Sequence, residues 1–197
     1  MGDAVRRIVV GMSGSSGAIF GIRLLEILRD VPNVETHLVM TVAAGQTIAL
    51  ETDYKPRAVE QLATKSYKIN DIAASLSSGS FKTESMIVLP CSMKTVAAIA
   101  HGFDDNLLIR AADVTLKERR RLIVCPRETP LHLGHLRSLT QLAEIGGIVA
   151  PLMPAFYGRP ETIADLVDHQ LGRLLDLLNV EAEGLAFRWS GAKGATE

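Results

Sequence analysis

The chain has 197 residues, 47% of them hydrophobic, and a formal net charge of -1 at neutral pH. These values predict a single domain spanning residues 1–197, with a frayed tail from about residue 190, and give no sign of nucleic-acid binding. No apolar run approaches the roughly 20 residues of a membrane span, and the first residues lack a signal peptide's apolar segment. We therefore expect a cytoplasmic protein without a membrane span.

Apolar runs that predict β-strands alternate with amphipathic runs that predict helices. The strand candidates are 8–10, 36–40, 85–89, 122–125 and 147–150, and the helix candidates are 18–29, 43–52, 93–100, 106–119, 133–145 and 162–178. All strand candidates except the second are almost continuously apolar, which is typical of parallel strands covered on both faces. The pattern predicts an α/β fold with a three-layer, doubly wound parallel sheet. The mixed, polar segment 53–81 is expected to form loops that border a ligand.

The first predicted loop, residues 11–18, consists mainly of Gly and Ser and leads directly into a helix. Such a loop can turn its N–H groups, and the positive end of the helix dipole, towards a phosphate. A Walker loop would need Lys and Ser or Thr after Gly17, and a hydrolase elbow would need Gly at position 15. The second strand is followed by Thr41 and not by the acidic residue of a dinucleotide fold, which favours a mononucleotide. The alternative is a tight turn that only packs the helix on the strand.

Two further groups follow predicted strands. Ser92, Lys94 and Thr95 begin a helix and form either a second anion-binding station or a capped helix with an exposed lysine. Arg127 and Glu128 form either a pair that binds an anion and moves a proton, or a capping acid before a Pro-led helix.

The remaining charged groups are expected on the surface. Arg110, Asp113, Lys117 and Arg120 are spaced to form a polar stripe, and residues 119–121 are expected to be surface charge or a subunit contact. His132 and His135 lack a third metal ligand and are expected at a helix surface or interface. The two cysteines, Cys91 and Cys125, are expected to be buried thiols at strand ends.

In chain order, five motifs resemble those of the flavin prenyltransferase family, which comprises UbiX and its phenylacrylic acid decarboxylase relatives. The motifs are Gly14-Ser15-Ser16-Gly17, Pro90-Cys91-Ser92-Met93-Lys94-Thr95, Ala112-Asp113-Val114-Thr115-Leu116-Lys117-Glu118, Arg127-Glu128-Thr129-Pro130-Leu131 and Pro154-Ala155-Phe156-Tyr157. The resemblance implies a Rossmann-like or flavodoxin-like flavoprotein that binds FMN at the subunit interfaces of a homo-oligomer, commonly a dodecamer. It also implies transfer of a dimethylallyl group from dimethylallyl monophosphate to N5 and C6 of reduced FMN. The prenylated FMN then serves a UbiD-type decarboxylase in aromatic acid decarboxylation.

The resemblance also implies the site residues. Those expected to bind FMN are Gly14, Ser15, Ser16, Thr41, Ser92, Met93, Lys94, Thr95 and Arg127. Those expected to bind the prenyl phosphate are Arg110, Lys117, Arg127, Tyr157, Arg173 and Trp189, and Ser16 and Glu128 are expected to be catalytic. The family usually has Ala where Ser15 stands and Ser where Thr41 stands, and both changes keep the size or the hydroxyl. Arg, Lys and Tyr suit a monophosphate leaving group without a metal ion.

Three alternatives remain at this stage. A flavin-dependent cysteine decarboxylase has a related fold, but that family typically has Asn where Lys94 stands and a catalytic His near the first long helix. This chain has no His between Met1 and Thr36. The other two alternatives are a non-catalytic FMN-binding subunit of an aromatic acid decarboxylase and direct decarboxylation of aromatic acids by this chain.

Overall fold

The computed structural model describes residues 5–182 and residue 185. The chain divides after Leu152 into two compact units. The strands of the first unit are β1 (Arg6–Met12), β2 (Val34–Met40), β3 (Lys65–Tyr67), β4 (Ser85–Cys91), β5 (Arg121–Pro126) and β6 (Ile148–Val149). Its helices are α1 (Ala18–Arg29), α2 (Val42–Glu51), α3 (Pro56–Glu60), α4 (Met93–His101), α5 (Leu107–Lys117) and α6 (Leu133–Glu144). The second unit contains α7 (Ile163–Leu177).

All six strands pair in parallel, in the order β3-β2-β1-β4-β5-β6. This is the Rossmann order, and without the three-residue β3 the remaining strands follow the flavodoxin order. The expected doubly wound α/β fold is confirmed. The chain winds outwards from β1 through β2 and β3 and then returns to place β4 on the other side of β1. A crevice for ligands is therefore expected at the carboxyl ends of β1 and β4.

Alternate side chains of the central strands point to opposite faces of the sheet. Val9 and Val88 belong to the buried cluster that includes residues of α4 and α5. On α1, Gly21 lies so close to the sheet that an added Cβ would be 2.6 Å from the carbonyl oxygen of Leu89 and from Cε of Met12. The tight helix-to-sheet packing therefore depends on a residue without a side chain.

The polar segment between α2 and β4 is more regular than the sequence indicates, since it holds α3, β3 and a 3₁₀ turn at Ser75–Ser77. β3 is short and exposes two of its three residues. Its sequence therefore has no apolar run that would predict a strand. Arg120 was expected to be a surface charge or a subunit contact, and this expectation was wrong. Its guanidinium donates to the carbonyl oxygens of Gly79 at 2.6 Å and Phe81 at 3.0 Å, and so fastens this segment to the end of α5.

Cys91 and Cys125 are buried at the ends of β4 and β5, as expected. Burial raises the pKa of both thiols, so neither is a thiolate at neutral pH. None of the described helices is long and apolar enough to cross a membrane. Within the same part of the chain, no three His, Cys, Asp or Glu side chains come together as ligands of a metal ion.

The second unit is organised around α7. Thr162 caps this helix by accepting a hydrogen bond from the Asp165 backbone N–H, and the Asp165 carboxylate accepts one from the N–H of Thr162. This capping box fixes where the helix begins. A turn containing Arg159, with a φ of 51°, precedes it.

Candidate functional site

A cleft of about 160 Å³ lies at the carboxyl ends of the strands in the first unit. It is lined by residues that follow β1, β2 and β4 and by the α4–α5 connection: Ser13, Gly14, Thr41, Ala43, Ser92, Lys94, Thr95, Ala98, Asp105, Asn106 and Ile109. The cleft is therefore at the crevice that the strand order predicts. The first loop, Thr41 and the group that begins at Ser92 all line this cleft.

Ser13 joins the loops that follow β1 and β4. Its hydroxyl donates to the carbonyl oxygen of Pro90 at 3.3 Å and accepts from the N–H of Ser92 at 2.7 Å. The N–H of Ser13 also donates to Pro90, at 3.1 Å. Pro90 lies where the register between β4 and β5 shifts, so its carbonyl is available to a side chain rather than to the regular ladder. The two loops form one floor of the cleft.

Gly14 lets the first loop lie against the start of α2. An added Cβ at Gly14 would be within van der Waals overlap of Ala43, at 2.4 Å from its Cβ. Thr41 holds the other side of this contact, because its N–H donates to Met12 at 3.0 Å and its hydroxyl caps the N–H of Ala44 at 3.0 Å. The glycine is thus required for a close approach and not for a turn.

The amino ends of α2 and α4 both reach the cleft. Ser92 caps α4, as expected, and its hydroxyl lies 3.1 Å from that of Thr95. Lys94 adds an ammonium group at the same helix end. The side chain of Met93 packs in the hydrophobic core, so only its main chain remains for a ligand. Two helix dipoles and one lysine make this end of the cleft suited to an anion.

Glu51 occupies the amino end of α1, where the sequence predicts a phosphate. Its Oε2 accepts hydrogen bonds from the N–H groups of Gly17 at 2.8 Å and Ala18 at 3.0 Å. Partial burial opposes ionisation of Glu51, but hydrogen bonds from Ser16, Gly17 and Ala18 and the charge of Arg127 outweigh it, so its pKa lies below the ordinary value. The sequence analysis missed Glu51, which is 34 residues from Gly17 at the other end of α2. A carboxylate near the end of a helix carries no local signal of this contact.

Ser15 and Arg127 complete the surroundings of the loop. Ser15 is buried, and within the described part of the chain its hydroxyl has no hydrogen-bond partner. Arg127 follows β5, and its N–H donates to the carbonyl oxygen of Cys91 at 3.1 Å, so it is anchored beside the end of β4. The exposed carboxylate of Glu128 accepts from the N–H of Thr129 at 3.1 Å. Glu128 is not the cap of a Pro-led helix, because α6 begins at Leu133 and is capped by His132.

Arg110 and Lys117 are on α5, the helix that leads into β5. Arg110 donates to the carboxylates of Asp113 at 2.8 Å and Asp104 at 3.2 Å and to the carbonyl oxygen of Ser77 at 3.3 Å. Lys117 ends α5 and pairs with Glu118. The end of α5 leads into the amino end of β5, whereas Arg127 follows the carboxyl end of that strand.

In the second unit, Tyr157 is half-exposed, and its hydroxyl lies 3.0 Å from Nε2 of His169 on α7. Arg173, also on α7, donates to Asp176 at 2.8 Å. Trp189 lies outside the described residues.

Three comparisons identify similar proteins. The Flavoprotein family model matches residues 2–175. The flavin prenyltransferase UbiX of Escherichia coli K12 is 55% identical over 189 residues, covering 95% of this chain and 100% of the relative. The crystal structure of AnUbiX (PadA1) in complex with FMN and dimethylallyl pyrophosphate aligns with a TM-score of 0.91 at 52% identity, covering 94% of this chain and 98% of that chain. A dodecameric FMN-dependent UbiX-like decarboxylase from Escherichia coli O157:H7 aligns with a TM-score of 0.92 at 51% identity, covering 94% of this chain and 100% of that chain.

The cysteine decarboxylases are more distant. The FMN-dependent cysteine decarboxylase SpaF aligns with a TM-score of 0.62 at 20% identity, covering 85% of this chain and 98% of that chain. At this identity the likeness shows a shared fold and nothing about the reaction.

Proposed function

The chain belongs to the Flavoprotein family and, within it, to the UbiX flavin prenyltransferases, and on this premise we propose that it prenylates reduced FMN. The dimethylallyl group of dimethylallyl monophosphate would be joined to N5 and C6 of the flavin, with phosphate as the leaving group. The observation that carries the proposal is the cleft at the carboxyl ends of β1 and β4, with its anion-binding end and the Ser16, Glu51 and Arg127 group beside it.

The residues around the cleft fit FMN. The phosphate of FMN suits the end of the cleft where α2 and α4 begin and where Lys94 supplies a positive charge. The Ser15 hydroxyl is buried and has no hydrogen-bond partner among residues 5–182, so it is a polar group that a bound ligand would satisfy. Gly14 keeps the loop flat against α2, and a larger residue would move the wall of the cleft.

These contacts suggest roles for four residues around the cleft in the proposed reaction. Reduced FMN supplies the nucleophilic N5 and C6. Arg127 stabilises the phosphate as its negative charge increases during departure. Ser16 holds or moves a proton near the flavin, and Glu51 keeps its hydroxyl oriented. Glu128, next to Arg127, is the second group proposed to move a proton.

We also propose that the site is completed by neighbouring copies of the chain. Lys117 and Arg127 stand at opposite ends of β5, about 20 Å apart for a strand of this length, so one copy cannot bring both side chains to one phosphate. α2 and α6 expose apolar side chains, among them Leu50, 86% exposed, and Leu133, 59% exposed. Exposed apolar helix faces of this kind mark protein contacts. The dodecameric relative supports a homo-oligomer.

The test is an anaerobic incubation of the protein with reduced FMN and dimethylallyl monophosphate, followed by mass spectrometry of the flavin. We expect a flavin heavier by one C₅H₈ unit, and parallel reactions with the pyrophosphate test the strictness for the monophosphate. A flavin of unchanged mass would contradict the proposal. Cinnamate and a peptide with a C-terminal cysteine, each without a second enzyme, test the two decarboxylase alternatives by release of carbon dioxide.

We further propose, from membership of the UbiX family, that a UbiD-type decarboxylase receives the prenylated FMN. We also propose a cytoplasmic location, since the sequence has no apolar run of the length of a membrane span. The non-catalytic alternative predicts FMN binding without any change in flavin mass, so the same incubation separates it from the prenyltransferase.

A further inference from the structure

The second unit contains a contact between Tyr157 and α7 that the family resemblance does not assign. Nε2 of His169 lies 3.0 Å from the hydroxyl oxygen of Tyr157, which is hydrogen-bond distance. The two rings also meet edge to face, with centroids 5.1 Å apart and planes at 82°. His169 therefore fixes both the position of the phenol ring and the direction of its hydroxyl.

This contact ties Tyr157 to one side of α7. His169 and Arg173 are four residues apart on the helix, so their side chains lie on the same face in successive turns. Tyr157 and Arg173 are both proposed to bind the phosphate of the prenyl donor. The histidine is thus placed to hold the tyrosine on the helix face that carries the arginine.

We propose that His169 is a positioning residue for the prenyl phosphate, acting through the hydroxyl of Tyr157; the inference rests on the proposed function. A tyrosine hydroxyl has a single proton to donate, and a phosphate oxygen only accepts. For Tyr157 to donate to the phosphate, His169 must donate its Nε2–H to the tyrosine oxygen. His169 therefore directs the one proton of Tyr157 towards the substrate.

The test uses the FMN-loaded protein with oxidised flavin, so that dimethylallyl monophosphate binds without reacting and its dissociation constant is measured at equilibrium. His169→Phe keeps a ring and removes both nitrogens, and we expect it to weaken binding about tenfold, as does Tyr157→Phe. The double variant is expected to bind no more weakly than the weaker single variant, since both remove the same interaction. His169→Gln, whose amide N–H can donate, is expected to recover part of the affinity.

Controls separate this role from a structural one. FMN affinity and the thermal unfolding midpoint are expected to stay unchanged in His169→Gln, and the exposed His101→Phe on α4 reports the effect of a His-to-Phe change elsewhere. In turnover, KM for the monophosphate is expected to rise more than kcat falls. Unchanged affinity in both His169 variants, or losses that add in the double variant, would overturn the inference. If the wild-type protein binds the monophosphate but forms no prenylated flavin, the proposed function fails while the binding comparison still decides the role of His169.

Discussion

At the scale of single residues, Glu51 changes the interpretation of the first loop. A Gly- and Ser-rich turn before a helix is typical of phosphate sites, and the sequence predicts one here. In the folded chain the N–H groups of Gly17, which caps α1, and of Ala18, its first residue, donate to Glu51 instead. The end of the cleft that carries Ser92 and Lys94 is then the better place for a phosphate, and Ser16 of the loop is proposed to act in the reaction.

Glu51→Gln tests this contact through its pH dependence. The folded pKa of Glu51 lies below its unfolded value of about 4.5, so its ionised form stabilises the fold above that pH, and the stabilisation is lost as the pH falls through the folded pKa. We expect the variant to be less stable by about 0.5–1 kcal/mol at pH 7, the size of a charge at a helix end. The difference should shrink progressively as the pH falls below about 4.5. Urea denaturation across this pH range measures it.

The matched control is Glu60→Gln, an exposed carboxylate at the end of α3. It should show no comparable pH-dependent loss. An equal loss in both variants, or a difference between wild type and Glu51→Gln that does not shrink as the pH is lowered, would contradict the role assigned to Glu51.

The site residues that sequence reasoning found are those that follow predicted strands. Thr41, Ser92 and Arg127 could be placed because the carboxyl ends of parallel strands meet at one edge of the sheet. Glu51 and the pairing of Arg110 with two carboxylates could not be placed, since both depend on how loops and helices pack. Resemblance supplies a residue's family role but not its partners in this fold.

At the scale of elements, one side chain links the loops at the carboxyl ends of the two central strands. Ser13 connects the loops after β1 and β4, two strands that are 73 residues apart from the end of one to the start of the next. Among the described strands, no other hydrogen-bonded neighbours are separated by so much chain. One buried hydroxyl thus aligns the two loops that form the floor of the cleft.

Ser13→Ala should separate these loops. The change removes the hydroxyl that accepts from the N–H of Ser92 and donates to the carbonyl oxygen of Pro90. Leaving a buried polar group without its partner costs about 1–3 kcal/mol. We expect lower stability in urea denaturation together with weaker FMN binding in a fluorescence titration. Ser138→Ala on α6, where the hydroxyl only bonds back to its own helix, is the control. Normal FMN affinity in a destabilised Ser13→Ala would show that the loops do not need this contact to form the site.

Elements with a continuous pattern were predictable to within about two residues. α1 begins and ends where the sequence predicts, because the loop before it and the charged residues after it mark its bounds. α5 is shorter than predicted, since Arg119 takes a φ of 57° and turns the chain before β5. β3 and α3 were missed because short, mostly exposed elements have no periodic apolar residues to reveal them.

At the scale of the whole molecule, the predicted phosphate-binding residues of the first unit are distributed over both ends of the sheet. Lys117 precedes β5 and Arg127 follows it. Under the proposed arrangement, the substrate phosphate contacts Lys117 of one copy and Arg127 of another. Assembly would then be a condition for activity and not only for stability.

Complementation between two inactive variants tests this arrangement. Lys117→Ala and Arg127→Ala are each expected to lose most prenyl transfer. Co-expressed with different tags and purified through both, they should form mixed oligomers in which about a quarter of the sites combine intact Lys117 with intact Arg127. Mass spectrometry of the flavin measures the recovered activity. Mixed oligomers as inactive as the single variants would place both residues in the site of one copy.

The Glu51 carboxylate, bound at the start of α1, also affects which free anions can bind to the first loop. Nucleoside triphosphates and inorganic phosphate are drawn to free N–H groups at such a turn, and here they would have to displace an ionised side chain already bound to two of them. Glu51 thus lowers the affinity of this turn for nucleoside triphosphates and inorganic phosphate. The N–H groups at this turn are therefore held by a side chain of the protein itself and not by a free phosphate.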